Sequence, residues 1–132
     1  MCIRDRVKSE DELTRLRPDF NLISQLDGIG IIVTAKSLDP KFDFKSRCFY
    51  PSLDISEDPV TGSAHCSLAP YWARKLQKDK LYAHQSSKRG GNLDLQISKE
   101  RVLIAGNAVT TFKSEIPRSL LKHLPETEKP KS

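Results

Sequence analysis

Glu57-Asp58-Pro59-Val60-Thr61-Gly62-Ser63-Ala64-His65 runs directly into Cys66-Ser67-Leu68-Ala69-Pro70-Tyr71-Trp72-Ala73-Arg74-Lys75-Leu76. The second stretch reads as a helix. Ala64, Leu68, Tyr71, Trp72 and Leu76 form one wide apolar face. Its flanks are apolar or small, so burial on most sides is expected. Pro70 lies inside and is expected to remove one backbone bond and kink the helix. The first stretch therefore sits where a loop becomes a helix N-terminus. Backbone N–H groups there lack intrahelical partners, and the helix dipole is positive. An anion such as a substrate carboxylate is stabilised in such a place. Acids, hydroxyls and an anion hole together are what a small-molecule active site needs.

Upstream, Ser9 with Glu12 is a capping-box pattern that starts a short helix through about Leu16. Pro18 opens a second, with Phe20, Ile23 and Leu26 at helical spacing, ended by Gly28 and Gly30. Ile29, Ile31, Ile32 and Val33 read as a short buried strand. Phe42 to Tyr50 alternates and reads as another, with a possible bulge near Lys45. Downstream come four strand candidates, 81–86, 92–97, 101–105 and 108–112, separated by tight turns. Gly106-Asn107 between alternating runs signals a hairpin. A last short helix is expected from Pro117 to Leu124. A meander after a buried helix suggests a sheet curling around that helix.

The chain has 132 residues, enough for one domain with a real core. Hydrophobic content is 37%, charged content 30% and mean hydropathy −0.50. Those values imply extra polar surface at the ends, or a domain that leans on something else. The net charge is +5 and the pI about 9.2. Lysines and arginines are nevertheless interleaved with acids, and no basic stripe with aromatics is present, so nucleic acid is not the expected partner. Cys2, Cys48 and Cys66 are widely spaced, with no C-x-x-C, which argues for free thiols in a reducing compartment. No apolar run approaches the ~20 residues of a membrane span, and no signal-peptide core is visible. A cytoplasmic protein away from membranes is the expectation. Residues 1–6 match neither the pattern nor the polarity of the rest of the chain and are expected to be a non-native leader. Residues 7–124 then form a single domain, and 125–132 a disordered tail.

The residues also allow plainer readings. Asp58 either assists proton transfer or merely stabilises the helix dipole by ~0.3–1 kcal/mol. Thr61 reads as an N-cap worth ~1 kcal/mol. Ser63 either binds substrate or is an ordinary first-turn residue. Lys88-Arg89-Gly90-Gly91 is an anion-binding turn or a solvated hairpin. A serine-hydrolase reading of Ser63, His65 and Asp58 fails: the second glycine of a G-x-S-x-G elbow is missing, and His65 lies on another helix face. His65 beside Cys66 is poor zinc geometry, and no metal site is expected. His65 is expected to pack or hold a supporting bond. Cys66, Tyr71 and Trp72 are expected in the core.

Glu57 to His65, then Pro70-Tyr71-Trp72, then Gln85-Ser86-Ser87-Lys88-Arg89-Gly90-Gly91, resemble the phenazine-biosynthesis (PhzF-like) isomerase family. The resemblance continues through Arg47 to Pro51 and Arg101-Val102 to Val109, and covers about Val7 to Glu115. It implies a fold like diaminopimelate epimerase: two similar halves, each a curled sheet around a central helix, with the active site between them. This chain resembles only the C-terminal half. The fold class implied is α+β, a curled, mostly antiparallel half-barrel (hot-dog-like) sheet around a central buried helix.

For function, the resemblance implies a cofactor-independent isomerase that shifts a proton on a small amino or hydroxy acid. It places Asp58 and Ser63 in the catalytic site. It makes Thr61, Gly62, Ser63, Arg89, Gly90 and Gly91 contacts to a carboxylate substrate. The general-base glutamate belongs to the N-terminal half, which this chain does not match, so the isolated chain is expected to be inactive. Epimerases of this fold carry a cysteine at the position of Val60, and a single-base shift fits better than a two-base one. The alternative is a non-catalytic interaction module that self-associates, as a homodimer, through the exposed cleft face. The identity of the substrate is not written in these residues.

Overall fold

The computed structural model describes residues 2–117. Six strands form one sheet in chain order: β1 (Cys2–Arg6), β2 (Gly30–Lys36), β3 (Phe44–Phe49), β4 (Lys80–Gln85), β5 (Gly91–Ser98) and β6 (Arg101–Ala105). The class is α+β, as expected, with a half-barrel sheet curled about one helix. β2–β3, β4–β5 and β5–β6 are antiparallel, whereas β1–β2 and β3–β4 are parallel. Two short helices, α1 (Glu10–Arg15) and α2 (Phe20–Ser24), join β1 to β2. The long helix α3 (Gly62–Leu76) makes the crossover from β3 to β4.

Alternation on β3 explains the layering. Phe44, Ser46 and Cys48 point to one face, and all are buried. Together with Ile32, Leu81, Ala83, Leu93 and Leu95 they close over Leu68, Ala69, Trp72 and Ala73 of α3. Trp72 stacks on Phe44 at 5.4 Å between ring centroids, and its Nε1 donates to Thr34 Oγ1 at 3.0 Å. The opposite face of β2–β3 holds a smaller core, Val33, Ala35 and Phe49 under Leu13 of α1. Ser9 Oγ caps α1 by accepting from Glu12 N at 3.1 Å. The Glu12 carboxylate accepts from Lys8 N, one residue before the bond of a true capping box.

Several expectations change. Helix α3 is buried on one face only: Ser63, Cys66, Ser67, Arg74 and Lys75 are exposed, and α3 continues through Pro70. Cys66 is therefore a surface thiol, and Cys48 is the buried one. The register through Lys45 is regular, without a bulge. Residues 2–6, expected to lie outside the domain, pair with β2 as an edge strand. Residues 108–112 are not a strand. A primed hairpin turn at Gly106-Asn107 needs positive φ, and among the described residues only Asp54, Gln77, Gly90 and Lys99 adopt it. The chain therefore runs on past the sheet. Lys99, at φ 52, does make its turn between β5 and β6. The expected helix beyond Pro117 and the tail lie outside the described residues. Among the described residues no helix is long and apolar enough to cross a membrane.

Candidate active site

The turn from Glu57 to Thr61 is held from three sides. Arg47 on β3 grips Glu57 with both arms, Nε to Oε1 at 2.8 Å and Nη2 to Oε2 at 3.0 Å. Its Nη1 also donates to the carbonyls of Leu13 and Leu16 at the end of α1. Asp58 N donates to Cys48 O at 2.9 Å. From β4, Gln85 bonds Asp58 O at 2.7 Å, Thr61 N at 2.8 Å and Thr61 Oγ1 at 3.0 Å. Ser87 adds a bond to Pro59 O at 2.8 Å and accepts from Gly90 N at 3.0 Å.

Within this frame Asp58 is half-buried, and its Oδ2 accepts the Thr61 hydroxyl. Its Oδ1 has no partner among the described residues. Thr61 is at the N-cap position of α3 but does not cap it: no side chain bonds the helix start. Gly62 and Ser63 are exposed, and a Cβ placed on Gly62 would meet nothing within 4 Å. Neither packing nor a positive φ requires glycine at this position. The uncapped amide end of α3 is open to solvent, as an anion site needs.

A cavity of about 910 Å³ lies beside it, lined by Val60, Gly62, His84, the loop from Arg89 to Leu93 and the chain from Ile104 to Val109. The structure thus brings Gly62, Arg89, Gly90 and Gly91 to one cavity. Asp58, Thr61 and Ser63 are adjacent to Gly62 through the helix start but are not part of the cavity wall. The two loop glycines have local reasons of their own. Gly90 has φ 72, and a Cβ on Gly91 would overlap Val60 Cγ2. Arg89 is exposed and makes no hydrogen bond or ion pair with the described residues. Among those residues no cluster of three metal-binding side chains occurs.

His65 does not serve Ser63. Its ring is buried on α3, with Nδ1 2.8 Å from the Thr61 carbonyl and Nε2 3.4 Å from Ser46 Oγ. A carbonyl only accepts, so Nδ1 carries the proton. Burial pushes the His65 pKa below its usual value, against a smaller opposing pull from the Thr61 carbonyl. A depressed folded-state pKa means that the unfolded chain takes up the proton first as pH falls. Stability is therefore complete above about pH 6.5 and lost below it, by up to about 1.4 kcal/mol per pH unit for one proton. Urea midpoints measured between pH 8 and pH 5 check this, and His65→Gln should flatten the acid limb.

Gln85 and Arg47, which hold the turn, are the residues that spacing misses, because their bonds to it span 24 and 10 residues. A polar residue at an inward strand position is the one available signal: Gln85 alternates with Ala83 and Leu81.

Residues 5–114 match the PhzC-PhzF family, described as phenazine biosynthesis-like protein. The chain belongs to this family. It is 51% identical over 110 residues to an uncharacterized isomerase of Halalkalibacterium halodurans, covering 83% of this chain and 42% of that protein. It is 49% identical to an uncharacterized isomerase of Pseudomonas aeruginosa, covering 83% and 41%. A putative phenazine biosynthesis PhzC/PhzF protein from Clostridium difficile superposes with TM-score 0.77 at 43% identity, over 85% of this chain and 44% of that one. Both of these curated relatives are named isomerases. The chain spans about two fifths of the length of the relatives it matches.

Proposed function

We propose that this chain supplies one wall, the C-terminal one, of a cytoplasmic PhzF-like isomerase site that shifts a proton on a small amino or hydroxy acid without a cofactor. The substrate carboxylate lies against the Gly62 and Ser63 amides, with the Ser63 hydroxyl beside them and Arg89 across the cavity. Asp58 faces it with its free Oδ1, oriented by the Thr61 hydroxyl, to return a proton or hold the substrate's amine or hydroxyl. A glutamate on a complementary N-terminal half removes the proton. The observation that carries this reading is the uncapped start of α3, where Gly62 leaves open space on the wall of the cavity that Arg89, Gly90 and Gly91 also line.

The 132-residue chain alone then has no turnover. Deuterium incorporation into a panel of amino and hydroxy acids in D2O should stay at background. Incorporation that disappears in Asp58→Ala would overturn the division of labour. Acetate, as the simplest carboxylate probe, should move the Gly62 and Ser63 amide resonances.

One feature favours the alternative role in self-association. Val109, at the end of the cavity wall, and Phe112 and Ile116 beyond it are 86%, 80% and 62% exposed. Apolar exposure of this kind favours a partner surface. A sedimentation profile that stays monomeric at every concentration would remove this second reading.

A further inference from the structure

Gln85 is fully buried on the inner face of β4, and all of its side-chain bonds go to one turn. Its orientation is fixed by backbone groups of known polarity. The Thr61 amide can only donate, so it faces Oε1; the Asp58 carbonyl can only accept, so it faces Nε2. The second proton of Nε2 then goes to Thr61 Oγ1. A threonine hydroxyl has one proton of its own. With Gln85 donating to the oxygen, that proton is directed to Asp58 Oδ2.

The consequence lies at α3. Threonine at an N-cap ordinarily accepts from the N2 or N3 amide, here Ser63 or Ala64. Thr61 makes no such bond. We propose that Gln85 is a positioning residue: it captures the Thr61 hydroxyl, turns it to Asp58, and so keeps the first amides of α3 uncapped for a ligand. The purpose of the device rests on the proposed carboxylate site; the capture itself does not.

The test is amide hydrogen exchange by NMR on the 132-residue chain. Gln85→Leu removes all three bonds. Gln85→Glu keeps an acceptor for the Thr61 amide and loses the donors. In both, the released hydroxyl should cap its own helix. Exchange at Ser63 or Ala64 should then slow about fivefold, while the turn from Leu68 to Ala73 exchanges as before or faster. Adding Thr61→Val should abolish the slowing. A purely structural loss moves these amides the other way, toward faster exchange. Acetate, titrated in parallel, should shift the Gly62 and Ser63 resonances about fivefold more weakly in Gln85→Leu than in the parent chain. Exchange at Ser63 and Ala64 that is unchanged or faster in the variants, with the rest of α3 intact, overturns the proposal. Slowed exchange with no acetate response in the parent chain sinks the carboxylate reading and leaves the capture standing. If Gln85→Leu does not fold, Gln85→Glu decides the matter alone.

Discussion

Replacing Trp72 with alanine is expected to cost about 3–5 kcal/mol of stability, the usual range for emptying a buried indole site. For a domain of this size that lowers the melting temperature by about 15 °C. Trp72 is fully buried, lies nearly parallel to Phe44 with 7° between the planes, and meets Tyr71 edge-on at 5.4 Å. The indole ties α3 to both β2 and β3, so its loss loosens the helix whose first turn forms the site. Trp72→Phe should cost much less. It keeps an aromatic ring against Phe44 and gives up the Nε1 bond and part of the indole volume, while Thr34 Oγ1 still donates to Lys45 O at 2.7 Å. Circular dichroism is the measurement to use, because the chain has one tryptophan and the variants lose its fluorescence.

Arg47→Ala is expected to cost about 3 kcal/mol and to disorder the turn that carries Asp58. Both partners of the Arg47–Glu57 pair are largely buried, at 13% and 21% side-chain exposure. Removing one leaves the other charge without its compensation. The carbonyls of Leu13 and Leu16 lose their donor at the same time, and Phe49 loses the guanidinium 5.0 Å above its ring. Arg47→Lys should recover little, since an ammonium cannot grip a carboxylate with a planar fork and reach α1 as well. Thermal denaturation measures the loss, and the Asp58 and Thr61 amide resonances report the turn. A shift of only a few degrees in Arg47→Ala would mean that Cys48, Gln85 and Ser87 hold the turn without it.

Local chemistry is legible in the sequence where local chemistry decides the structure. The Ser9 cap, the span of α3 from Gly62 to Leu76 and β6 from Arg101 to Ala105 follow from caps, period and turns. The parallel pairings do not. β1 exposes four of its five residues as a polar edge strand, so it has no apolar alternation to find. The run at 108–112 has β-branched and aromatic residues, but a strand is completed by a partner, and none of the described residues supplies one. At the site, Gly62, Arg89, Gly90 and Gly91 are readable as neighbours through the family motif. The clamp that places Asp58 is not, because side-chain bonds to backbone over 24 or more residues leave no spacing to recognise.

β3 and β4 meet only along Phe44–Ser46 and Ala83–Gln85, the narrowest seam in the sheet. The Asp58–Thr61 turn straddles it, hung from one leaf by Cys48 and from the other by Gln85. Short pairings with few shared bonds part first in local opening. The turn itself is therefore a staple across the seam, and its loosening and the parting of the two leaves draw on the same free energy.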